Sequence, residues 1–587
     1  MADQQLEHFP NLVTMFFSRA RAKGDAPFLW AKLDGEWASI SWAQAAQQVA
    51  SVAQGLRDRG LKKGDRVMLV SENRPEWLIA DLAIMAAGCV TVPAYTTNTT
   101  RDHQHLLGNS DARAVIVSTQ KLAEPLLPAV LFASECHHVI SIDDIITGQS
   151  PDVARFHHWA DLTATPAEVI RYEEEARSIA RSDLACLIYT SGTGGAPRGV
   201  MQHHGMILHN VEGCVDVIAN DFGWEDEVFL SFLPASHAYE HTGGQHFPVG
   251  LGAQIYYAES LEKLAANIED VKPTIMVVVP RLFEMLRAKM LKTIEKEGGL
   301  AAYLLERAVA IEAKRYQGKS NPLDLPMDGL LSLTLRKKVR AKFGGRMKAM
   351  VSGGAPLNPD VGLFFQAMGL TMLQGYGQTE SGPVISCNRP SAGIRMETVG
   401  PPLKNTEVKI AEDGEICVRG ELVMEGYWRN PDDTARVLKD GWLLTGDVGH
   451  LDEKNRIVIT DRKKDLIVLD KGDNVSPQRV EGILTLGPEV AQAMVYGDRR
   501  PNLVALLVPD PELIAAHKGD AEAIRKALGK AVDAVNKDLS VIEKVRRFIV
   551  ADEPFTTDNE MLTPSMKIRR HKITEVYGDR LAALYKR

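Results

Sequence analysis

The first third of the chain alternates between two spacings of apolar residues. Segment 41–60 repeats apolar side chains about every 3.6 positions and ends at a glycine, which predicts an amphipathic helix. Continuous apolar runs at 65–72 and 112–118 predict buried strands, and a second helical pattern at 74–88 lies between them. Such alternation is typical of parallel sheets covered by helices.

The same pattern resumes later in the chain, with one long interruption. Apolar runs at 274–280 and 346–357 predict two further strands. The segment between them, 281–343, is mostly helical and charged in pattern, and the stretch 318–329 within it is rich in Gly, Asn, Pro and Asp. We therefore expect a helical insertion that contains one loop, at 318–329.

The pattern changes to short strands from about residue 400. Segment 407–420 consists of two short apolar runs around an Asp-Gly pair, which is a strong hairpin signal. Segment 449–460 has the form of a second hairpin, in which Asn455 suits the left-handed turn position. These signals predict a small β-rich subdomain at about 400–460.

A compact α+β unit follows the hairpins. Helical patterns begin at Pro477 and near 520–537, and three apolar runs between and after them predict strands. The predicted fold class is therefore α/β, with a large N-terminal domain of helix-covered sheets (1–460, including the β-rich subdomain) and a smaller α+β C-terminal domain (461–587). We expect the boundary near 461–464.

Composition and charge narrow the class of protein. The 587 residues are 45% hydrophobic and 25% charged, as in ordinary globular proteins that divide into several domains. The formal net charge of −8 argues against nucleic acid as a partner, because nucleic-acid-binding proteins present basic surfaces. The six cysteines lie far apart without metal-ligand spacing, which predicts reduced thiols in a cytoplasmic protein.

Targeting and membrane-spanning segments are not predicted. The N-terminus lacks the basic start and apolar run of a secretory signal. The most apolar window, 78–94, contains Asp81 and runs into a proline, so it is too short to span a bilayer. We expect no transmembrane segment, while peripheral contact with the inner face of the membrane stays open.

The segment Thr190–Gly195 raises the first chemical question. It follows an apolar strand with three hydroxyl side chains and three glycines, and Arg198 lies just beyond it. Glycines leave backbone N–H groups free to converge on an anion, and hydroxyls and a cation add to them, which suits a polyphosphate. Neither a Walker A loop nor a dinucleotide-binding glycine pattern fits these spacings. Taken alone, the loop is equally typical of an ordinary turn.

Four later motifs, taken with this loop, decide between those interpretations. They are SGGAPL (352–357), QGYGQTES (374–381), DGWLLTGDVG (440–449) and the charged stretch 459–481. In this order, from about residue 40 to the end of the chain, they resemble the adenylate-forming superfamily of acyl-CoA synthetases, luciferases and nonribosomal adenylation domains. The insertion 281–343 and the segment 559–570 further resemble the long-chain fatty acyl-CoA synthetase branch.

The resemblance implies a ligase reaction in two steps. A carboxylate attacks the α-phosphorus of ATP and releases pyrophosphate, and the thiol of coenzyme A then takes the acyl group from acyl-AMP. The expected enzyme is an AMP-forming long-chain fatty acid–CoA ligase that uses ATP, Mg²⁺ and coenzyme A, with medium-chain and aromatic acids left open as substrates. The family's C-terminal domain rotates between the steps, so a mobile domain is expected here.

The resemblance assigns the glycine loop to phosphate binding. The β- and γ-phosphates of ATP are expected on Thr190, Ser191, Gly192, Thr193, Gly194 and Gly195, with Arg198 beside them. Thr193 is also expected to act in catalysis. The family usually has a hydroxyl where this chain has Gly194 and a lysine where it has Arg198, so one phosphate donor is missing and the cation is planar.

The later motifs match the family's nucleotide and metal ligands. Adenine is expected against Gly353, Gly354, Ala355, Gly375 and Tyr376, the ribose hydroxyls on Asp447 and Arg462, and Gln378 belongs to the same nucleotide-binding set. Thr379 is expected to face the α-phosphate. Glu380 matches the Mg²⁺ ligand, with a part in catalysis, because a hard cation that bridges phosphates prefers carboxylate oxygens.

Four further positions complete the expected site. Lys464 matches the hinge of the rotating domain, and Gly472 lies where the family contacts coenzyme A. Lys567 matches the catalytic lysine that offsets charge on the α-phosphate and carboxylate during adenylation. His237 matches a position at the junction of the acyl group and the phosphates, and it is also expected in catalysis.

Alternative interpretations apply to several of these signals. His237, Glu240 and His241 fit an H-x-x-E-H zinc pattern literally, although a nearby proline and two glycines disfavour the long helix that it needs. The basic stretch 566–572 also suits nucleic acid or lipid headgroups. The protein could instead load a carrier protein, or be a noncatalytic lipid-binding relative whose glycine loop has lost its function.

Overall fold

The structure is a computed structural model that describes residues 6–146, 154–190, 196–463, 466–471, 473–563 and 568–586. The first 390 residues contain two large sheets and the helices that connect their strands. Their strands are β1 (Pro27–Leu33), β2 (Glu36–Ser41), β3 (Arg66–Val70), β4 (Val90–Ala94), β5 (Ala112–Val117), β6 (His138–Ser141), β7 (Arg155–His158), β8 (Leu184–Thr190), β9 (Arg198–His203), β10 (Val228–Ser231), β11 (Gln254–Tyr257), β12 (Ile275–Val278), β13 (Ala349–Ser352), β14 (Met372–Gly377) and β15 (Val384–Cys387).

Helices connect and cover these strands. They are α1 (Leu12–Lys23), α2 (Trp42–Asp58), α3 (Pro75–Ala86), α4 (Thr100–Ser110), α5 (Gln120–Val130), α6 (Trp159–Thr163), α7 (Val169–Ala176), α8 (His204–Asp221), α9 (Ala238–Glu240), α10 (Phe247–Leu251), α11 (Leu264–Val271), α12 (Pro280–Glu297), α13 (Gly299–Tyr316), α14 (Leu325–Leu333), α15 (Leu335–Lys342) and α16 (Pro359–Ala367). A π-helix, His241–His246, joins α9 to α10.

Parallel pairing dominates both sheets. Among the described strands, the first sheet has the order β7-β6-β5-β3-β4-β8-β9, and only the β8–β9 pair is antiparallel. The second has the order β15-β14-β13-β12-β10-β11-β1-β2, with antiparallel pairs at its two edges. Loops that follow parallel strands lie at one edge of a sheet, which is where α/β proteins bind ligands.

One hydrophobic core joins the two sheets. Its cluster of buried residues includes Leu69 from the first sheet and Phe229 and Ile255 from the second. Trp42 of α2 and Trp77 of α3 belong to the same cluster and are almost fully buried. Helices α2 and α3 therefore pack between the sheets, which agrees with the predicted helix-covered α/β arrangement.

A five-stranded antiparallel sheet follows, as the hairpin signals predict. Its strands are β16 (Glu407–Ile410), β17 (Glu415–Arg419), β18 (Leu438–Lys439), β19 (Trp442–Leu451) and β20 (Ile457–Arg462), with helix α17 (Pro431–Val437) before β18. Asn455, between β19 and β20, has φ of 59°, so the predicted left-handed turn position is confirmed.

The remaining described residues form a small α+β unit. Its strands are β21 (Ile467–Val468), β22 (Asn474–Val475), β23 (Val490–Tyr496), β24 (Leu503–Pro509) and β25 (Val545–Val550), and its helices are α18 (Pro477–Leu484), α19 (Pro511–Ala516), α20 (Ala521–Val535) and α21 (Arg570–Ala583). A hydrophobic cluster of its own contains residues from β23, β24, α18 and α20. Among the helices in the described ranges, none has the length and apolar character to cross a bilayer.

The predicted loop at 318–329 is wrong over most of its length. A 3₁₀ turn covers Pro322–Asp324, and α14 begins directly after it at Leu325. Proline disrupts helix interiors but is tolerated in a first turn, where the missing N–H has no partner to lose. Pro322 and Pro326 both occupy such first-turn positions, and the Asn321 side chain accepts a hydrogen bond from a backbone N–H of the 3₁₀ turn.

A buried polar cluster lies between β10 and the π-helix. The Ser231 hydroxyl donates to Glu240 Oε1 at 2.6 Å, and Gln245 Nε2 donates to the Ser231 hydroxyl at 3.0 Å. A Cβ atom at Gly244 would lie 2.1 Å from Glu240 Oε1, so only glycine leaves room for this carboxyl. Burial raises the pKa of Glu240 to about 8, although the hydrogen bonds from Ser231 and Gln245 oppose the shift.

We expect Glu240→Gln to stabilise the protein, and more so at high pH. In the unfolded chain the carboxyl ionises near its ordinary pKa, whereas in the folded protein it must take up a proton until the pH passes about 8. The stability from this group is therefore full at low pH and is lost as pH rises towards 8. Gln does not titrate, so the thermal midpoint of Glu240→Gln should exceed that of wild type by about 3 °C or more at pH 8, and by less at pH 5.

The matched control is Glu227→Gln. Glu227 is equally buried, but its Oε1 accepts a hydrogen bond from Lys348 Nζ at 2.6 Å. Loss of that charge should lower the thermal midpoint at both pH values, because the largely buried ammonium of Lys348 loses the nearer of two carboxylate partners. If the thermal midpoint of Glu240→Gln equalled that of wild type at every pH, the proposal that the buried Glu240 carboxyl is neutral would be contradicted.

Candidate active site

The predicted site residues gather where parallel strands end. Thr190 is the last residue of β8, and Gly353–Ala355 directly follow β13. Gly375 and Tyr376 lie near the end of strand β14, which leads through Gln378 into a 3₁₀ turn at Thr379–Ser381. The fold therefore brings these motifs to the carboxyl ends of strands, as expected for an α/β ligand site.

Asp447 is held by two of its predicted neighbours. The Tyr376 hydroxyl donates to Asp447 Oδ2 at 2.7 Å, and Arg462 Nε donates to Asp447 Oδ1 at 2.9 Å. Asp447 is 5% exposed. β19 and β20 pair Asp447 with Arg462 in register, and β14 supplies Tyr376 from the large sheet. The structure thus brings Tyr376, predicted for the adenine, and Arg462, predicted for the ribose, onto the carboxylate of Asp447.

The environment of Tyr376 keeps its hydroxyl protonated. Burial raises the pKa of Tyr376 well above its usual value, and the adjacent Asp447 carboxylate raises it further. The hydroxyl is therefore a permanent donor to Asp447 at neutral pH. A buried carboxylate with donors on both oxygens has a fixed orientation, which suits recognition of a pair of hydroxyl groups.

A second cluster surrounds Glu380. The Tyr427 hydroxyl donates to Glu380 Oε1 at 2.7 Å, and the guanidinium of Arg198 lies 4.2 Å from the centre of the Tyr427 ring. Arg198 Nη1 also forms an ion pair with Asp433 Oδ2 at 3.2 Å. The predicted phosphate cation and the predicted metal ligand therefore lie on the same tyrosine.

Sequence reasoning missed three residues of this region. Tyr427 and Asp433 lie in a segment that showed only a Gly-Tyr-Trp run before an Asn-Pro pair, which indicates a turn into a helix and no particular chemistry. Gln202 of β9 donates from Nε2 to the backbone carbonyl of Thr379 at 2.7 Å, which fixes the 3₁₀ turn against the first sheet. No signal in the sequence of β9 distinguishes Gln202 from a core polar residue.

The segment that contains His237 contacts the glycine turn after β13 through Tyr239. His237 Nδ1 accepts a hydrogen bond from the Tyr239 backbone N–H at 3.1 Å, and the Tyr239 hydroxyl donates to the carbonyl of Val351 at 2.8 Å. A Cβ at Gly353 would lie 2.7 Å from Cζ of Tyr239, so glycine permits this close packing. The contacts place the His237 segment next to predicted nucleotide residues, as its assignment requires.

The literal zinc pattern is not assembled. Nε2 of His241 and Nε2 of His246 lie 3.1 and 3.0 Å from Asp81 Oδ2, and all three side chains are fully buried. Glu240 instead faces Ser231. Although burial opposes ionisation, the two histidines hold the pKa of Asp81 well below its usual range. His241 and His246 thus form a buried cluster with Asp81, and this cluster does not include Glu240.

Several predicted residues lie outside the described residues. They are Ser191, Gly192, Thr193, Gly194, Gly195, Lys464, Gly472 and Lys567. The ends of the glycine loop are described, because Thr190 and Arg198 are paired across β8 and β9. The residue before the predicted hinge is also described: Lys463 Nζ lies 2.6 Å from Glu415 Oε2 and also pairs with Asp413.

Comparison with known proteins decides the family. The profile described as AMP-binding enzyme matches residues 16–428, and the profile described as AMP-binding enzyme C-terminal domain matches residues 464–587. The chain belongs to the AMP-binding enzyme family. The resemblance to adenylate-forming enzymes that the sequence motifs indicated is thereby confirmed.

Individual relatives of this AMP-binding enzyme span nearly the same length. Long-chain-fatty-acid–CoA ligase FadD15 of Mycobacterium bovis is 32% identical over 602 residues, with coverage of 98% of this chain and 97% of that protein. Long-chain-fatty-acid–[acyl-carrier-protein] ligase AEE15 of Arabidopsis thaliana is 28% identical, with coverage of 93% and 82%. The adenylation domain of a carboxylate reductase from Mycobacterium chelonae has a TM-score of 0.75 at 22% identity, over 99% and 92% of the two chains. The predicted α/β fold class is confirmed.

Four polar side-chain atoms in the candidate site of this AMP-binding enzyme are buried without a hydrogen-bond partner among the described residues. They are Thr190 Oγ1, Arg198 Nε, Ser352 Oγ and Gln378 Nε2. Buried groups of this kind destabilise a folded protein unless they are paired. Hydroxyl, amide and guanidinium groups are donors suited to phosphate and nucleobase atoms, so the residues present fit a nucleotide.

We expect Tyr376→Phe to weaken ATP binding in this enzyme. Without the phenol, Asp447 loses one of its two donors, and a hydrogen bond to a charged group contributes enough for KM for ATP to rise about tenfold. The change in kcat should be smaller, since the hydroxyl acts on Asp447 and not on reacting atoms. Steady-state kinetics with varied ATP will measure both.

The control for this variant is Tyr172→Phe. Tyr172 of α7 is also buried, and its hydroxyl donates to Gln54 Oε1 of α2 at 2.9 Å. Tyr172→Phe should leave KM for ATP unchanged, while it lowers the free energy of unfolding by about as much as Tyr376→Phe does. An equal rise of KM in both variants, or none in Tyr376→Phe, would refute the ribose role of Asp447.

Proposed function

We propose that this AMP-binding enzyme activates a long-chain fatty acid with ATP and transfers the acyl group to coenzyme A. In the first step the fatty carboxylate displaces pyrophosphate from ATP and forms acyl-AMP. In the second step the thiolate of coenzyme A displaces AMP and forms the thioester. FadD15, whose name states a long-chain fatty acid–CoA ligase, matches this chain over nearly its full length and supports the proposal.

The observation that carries the proposal is the fixed carboxylate of Asp447. Tyr376 and Arg462 hold its two oxygens, as required of a group that accepts hydrogen bonds from the two hydroxyls of a ribose. Tyr376 and the glycine turn after β13 then offer a surface for the adenine. Gln378 and Ser352, with unpaired polar atoms within the described part of the chain, are suited to hydrogen bonds with the nucleotide.

Arg198 and Glu380 are assigned to the triphosphate. Arg198 offers its guanidinium to the β- and γ-phosphates, next to the glycine loop that begins at Thr190. Glu380 would hold Mg²⁺, which neutralises phosphate charge and supports departure of pyrophosphate. The Tyr427 hydroxyl orients the Glu380 carboxylate, because it donates to Oε1. His237 is assigned to the junction between the acyl group and the α-phosphate.

We further propose a division of labour between two domains, 1–460 and 461–587. Lys567 supplies the positive charge for adenylation, and Gly472 lies on the surface that meets coenzyme A in the second step. Lys464 serves as the hinge, directly after Arg462 and Lys463, whose side chains are anchored to the five-stranded sheet. Because one lysine acts in only one step, the two half-reactions should respond differently to its loss.

A second candidate function is the loading of an acyl-carrier protein. The name of the Arabidopsis relative AEE15 states this acceptor, and the match covers 93% of this chain. The adenylation step would be the same, and only the thiol in the second step would differ.

The location we propose is cytoplasmic, because the six cysteines are free thiols. Peripheral contact with the inner face of the membrane belongs to the same proposal.

The proposed function predicts acid-dependent exchange of labelled pyrophosphate into ATP. Exchange should be faster with a long-chain acid than with a medium-chain or aromatic acid, and addition of coenzyme A should yield AMP and the thioester. Thioester formation only on a phosphopantetheinylated carrier protein would favour the second candidate. An absence of exchange with every acid would identify a lipid-binding relative without catalysis.

Lys567→Ala is expected to separate the two half-reactions. Adenylation should fall about 100-fold, because a cation that stabilises developing charge is lost, while thioester formation from supplied acyl-AMP should stay within about twofold. Rapid-quench assays of each half-reaction will measure this. Lys572→Ala, which removes a nearby lysine paired with Glu560, serves as the control and should change neither. Equal losses in both half-reactions of Lys567→Ala would contradict the proposed roles.

A further inference from the structure

Exposed apolar side chains concentrate in the helical insertion between β12 and β13. The large apolar residues of this segment that are exposed are Met285, Leu300, Tyr303, Val309, Leu323, Leu325, Leu330 and Leu333. Single exposed leucines are common on proteins, but a group of them in one segment marks a surface for interaction. None of the described residues assigned above to the nucleotide site lies in this insertion.

Helix α14 is apolar on its outward face as well as on its inward face. Leu331 is fully buried, and Met327 packs against the same core. On the other side, Leu325, Leu330 and Leu333 are 67%, 47% and 76% exposed. At 100° per residue these three lie within an arc of about 140°. Packing of the helix on the protein accounts only for the inward face and leaves the outward leucines exposed to solvent.

The outward surface of α15, which follows α14 directly, is basic. Lys337, Lys338, Arg340 and Lys342 are exposed. Lys342 also pairs with Glu269 at 3.1 Å, in an exposed ion pair that water screens. Helix α15 contains no acidic residue, although the whole chain has a formal net charge of −8. An exposed apolar face thus stands beside a local concentration of positive charge.

We propose that α14 and α15 dock the enzyme on an anionic phospholipid bilayer, with the leucines of α14 in the interface and the cations of α15 on the headgroup phosphates. Apolar side chains next to Lys and Arg residues are the composition of interfacial helices, and each basic residue near an anionic surface adds to the attraction. The inference rests on the proposed function, since long-chain fatty acids reside in bilayers and docking would shorten their path to the site.

A second copy of this chain fits the same surface poorly. In a symmetric dimer the basic face of α15 would meet itself or lie beside its own copy, because a twofold interface uses the same patch twice. Like charges without a neutralising partner oppose such a contact. An anionic bilayer removes this conflict, because it supplies both an apolar interior and negative headgroups.

Vesicle flotation with the full chain will test the docking surface. We expect wild type to float with vesicles in which about one third of the phosphatidylcholine is replaced by phosphatidylglycerol, about tenfold more than with phosphatidylcholine alone, and less as salt rises. Leu325→Gln/Leu333→Gln should lower partition into the anionic vesicles about tenfold. Lys337→Gln/Lys338→Gln should lower it by a similar factor and weaken the salt dependence.

Matched controls separate this surface from general changes in polarity or charge. Phe132→Gln/Ile170→Gln removes two side chains that are 77% and 64% exposed elsewhere, and Lys526→Gln/Lys530→Gln removes two exposed charges of α20. Both control pairs should float like wild type. Equal losses in test and control pairs, or no binding of wild type to anionic vesicles, would overturn the docking proposal.

Two further measurements keep this proposal distinct from the proposed function. With a dissolved medium-chain acid or a long-chain acid below its solubility limit, all variants should form thioester at wild-type rates. Thioester formation without vesicle binding would overturn the docking surface alone, whereas vesicle binding without thioester formation with any acid would overturn the function. Light scattering should show the same mass for wild type and Leu325→Gln/Leu333→Gln. A wild-type dimer that this variant dissociates would assign α14 to self-association instead.

Discussion

The proposed site depends on the two hydrogen bonds that fix the carboxylate of Asp447. A carboxylate that is 5% exposed would destabilise the fold without partners, and here Tyr376 comes from the large sheet while Arg462 comes from the five-stranded sheet. The contacts proposed to orient the ribose ligand are therefore also contacts between two sheets. Correct docking of the five-stranded sheet and completion of the nucleotide site are one structural event, because neither sheet carries all three side chains.

On the side of the site that we propose for the phosphates, one tyrosine contacts two side chains of opposite charge. If Arg198 and Glu380 paired directly, the cation would be less available to phosphate and the carboxylate less available to a metal. Tyr427 prevents this, since its ring lies against Arg198 and its hydroxyl donates to Glu380. Asp433 Oδ2 forms an ion pair with Arg198 Nη1 at 3.2 Å. Both side chains are about one-quarter exposed, so water weakens this ion pair.

Sequence reasoning located the strands and the hairpins because each depends on local signals. Apolar period fixed β3, α3 and β12, and Asn455 marked its turn through its tolerance of positive φ. The error at 318–329 came from prolines that occupy first turns of helices, a distinction that depends on where a helix begins. Tyr427 and Gln202 were missed because their roles arise only from contacts across 47 and 177 positions of the chain.

The anchoring of the chain just before residue 464 limits where a domain rotation can begin. Arg462 is tied to Asp447, and Lys463 is tied to Asp413 and Glu415, while its backbone N–H donates to the Gly446 carbonyl at 2.9 Å. A rotation that started before these residues would break the ribose contact together with two ion pairs. The hinge that we propose at Lys464 would break none of these contacts, so Asp447 and Arg462 would keep their proposed hold on the ribose while the C-terminal domain moves between its two proposed positions. This gives a physical reason for a hinge at that position: the acyl-AMP must stay bound between the two steps.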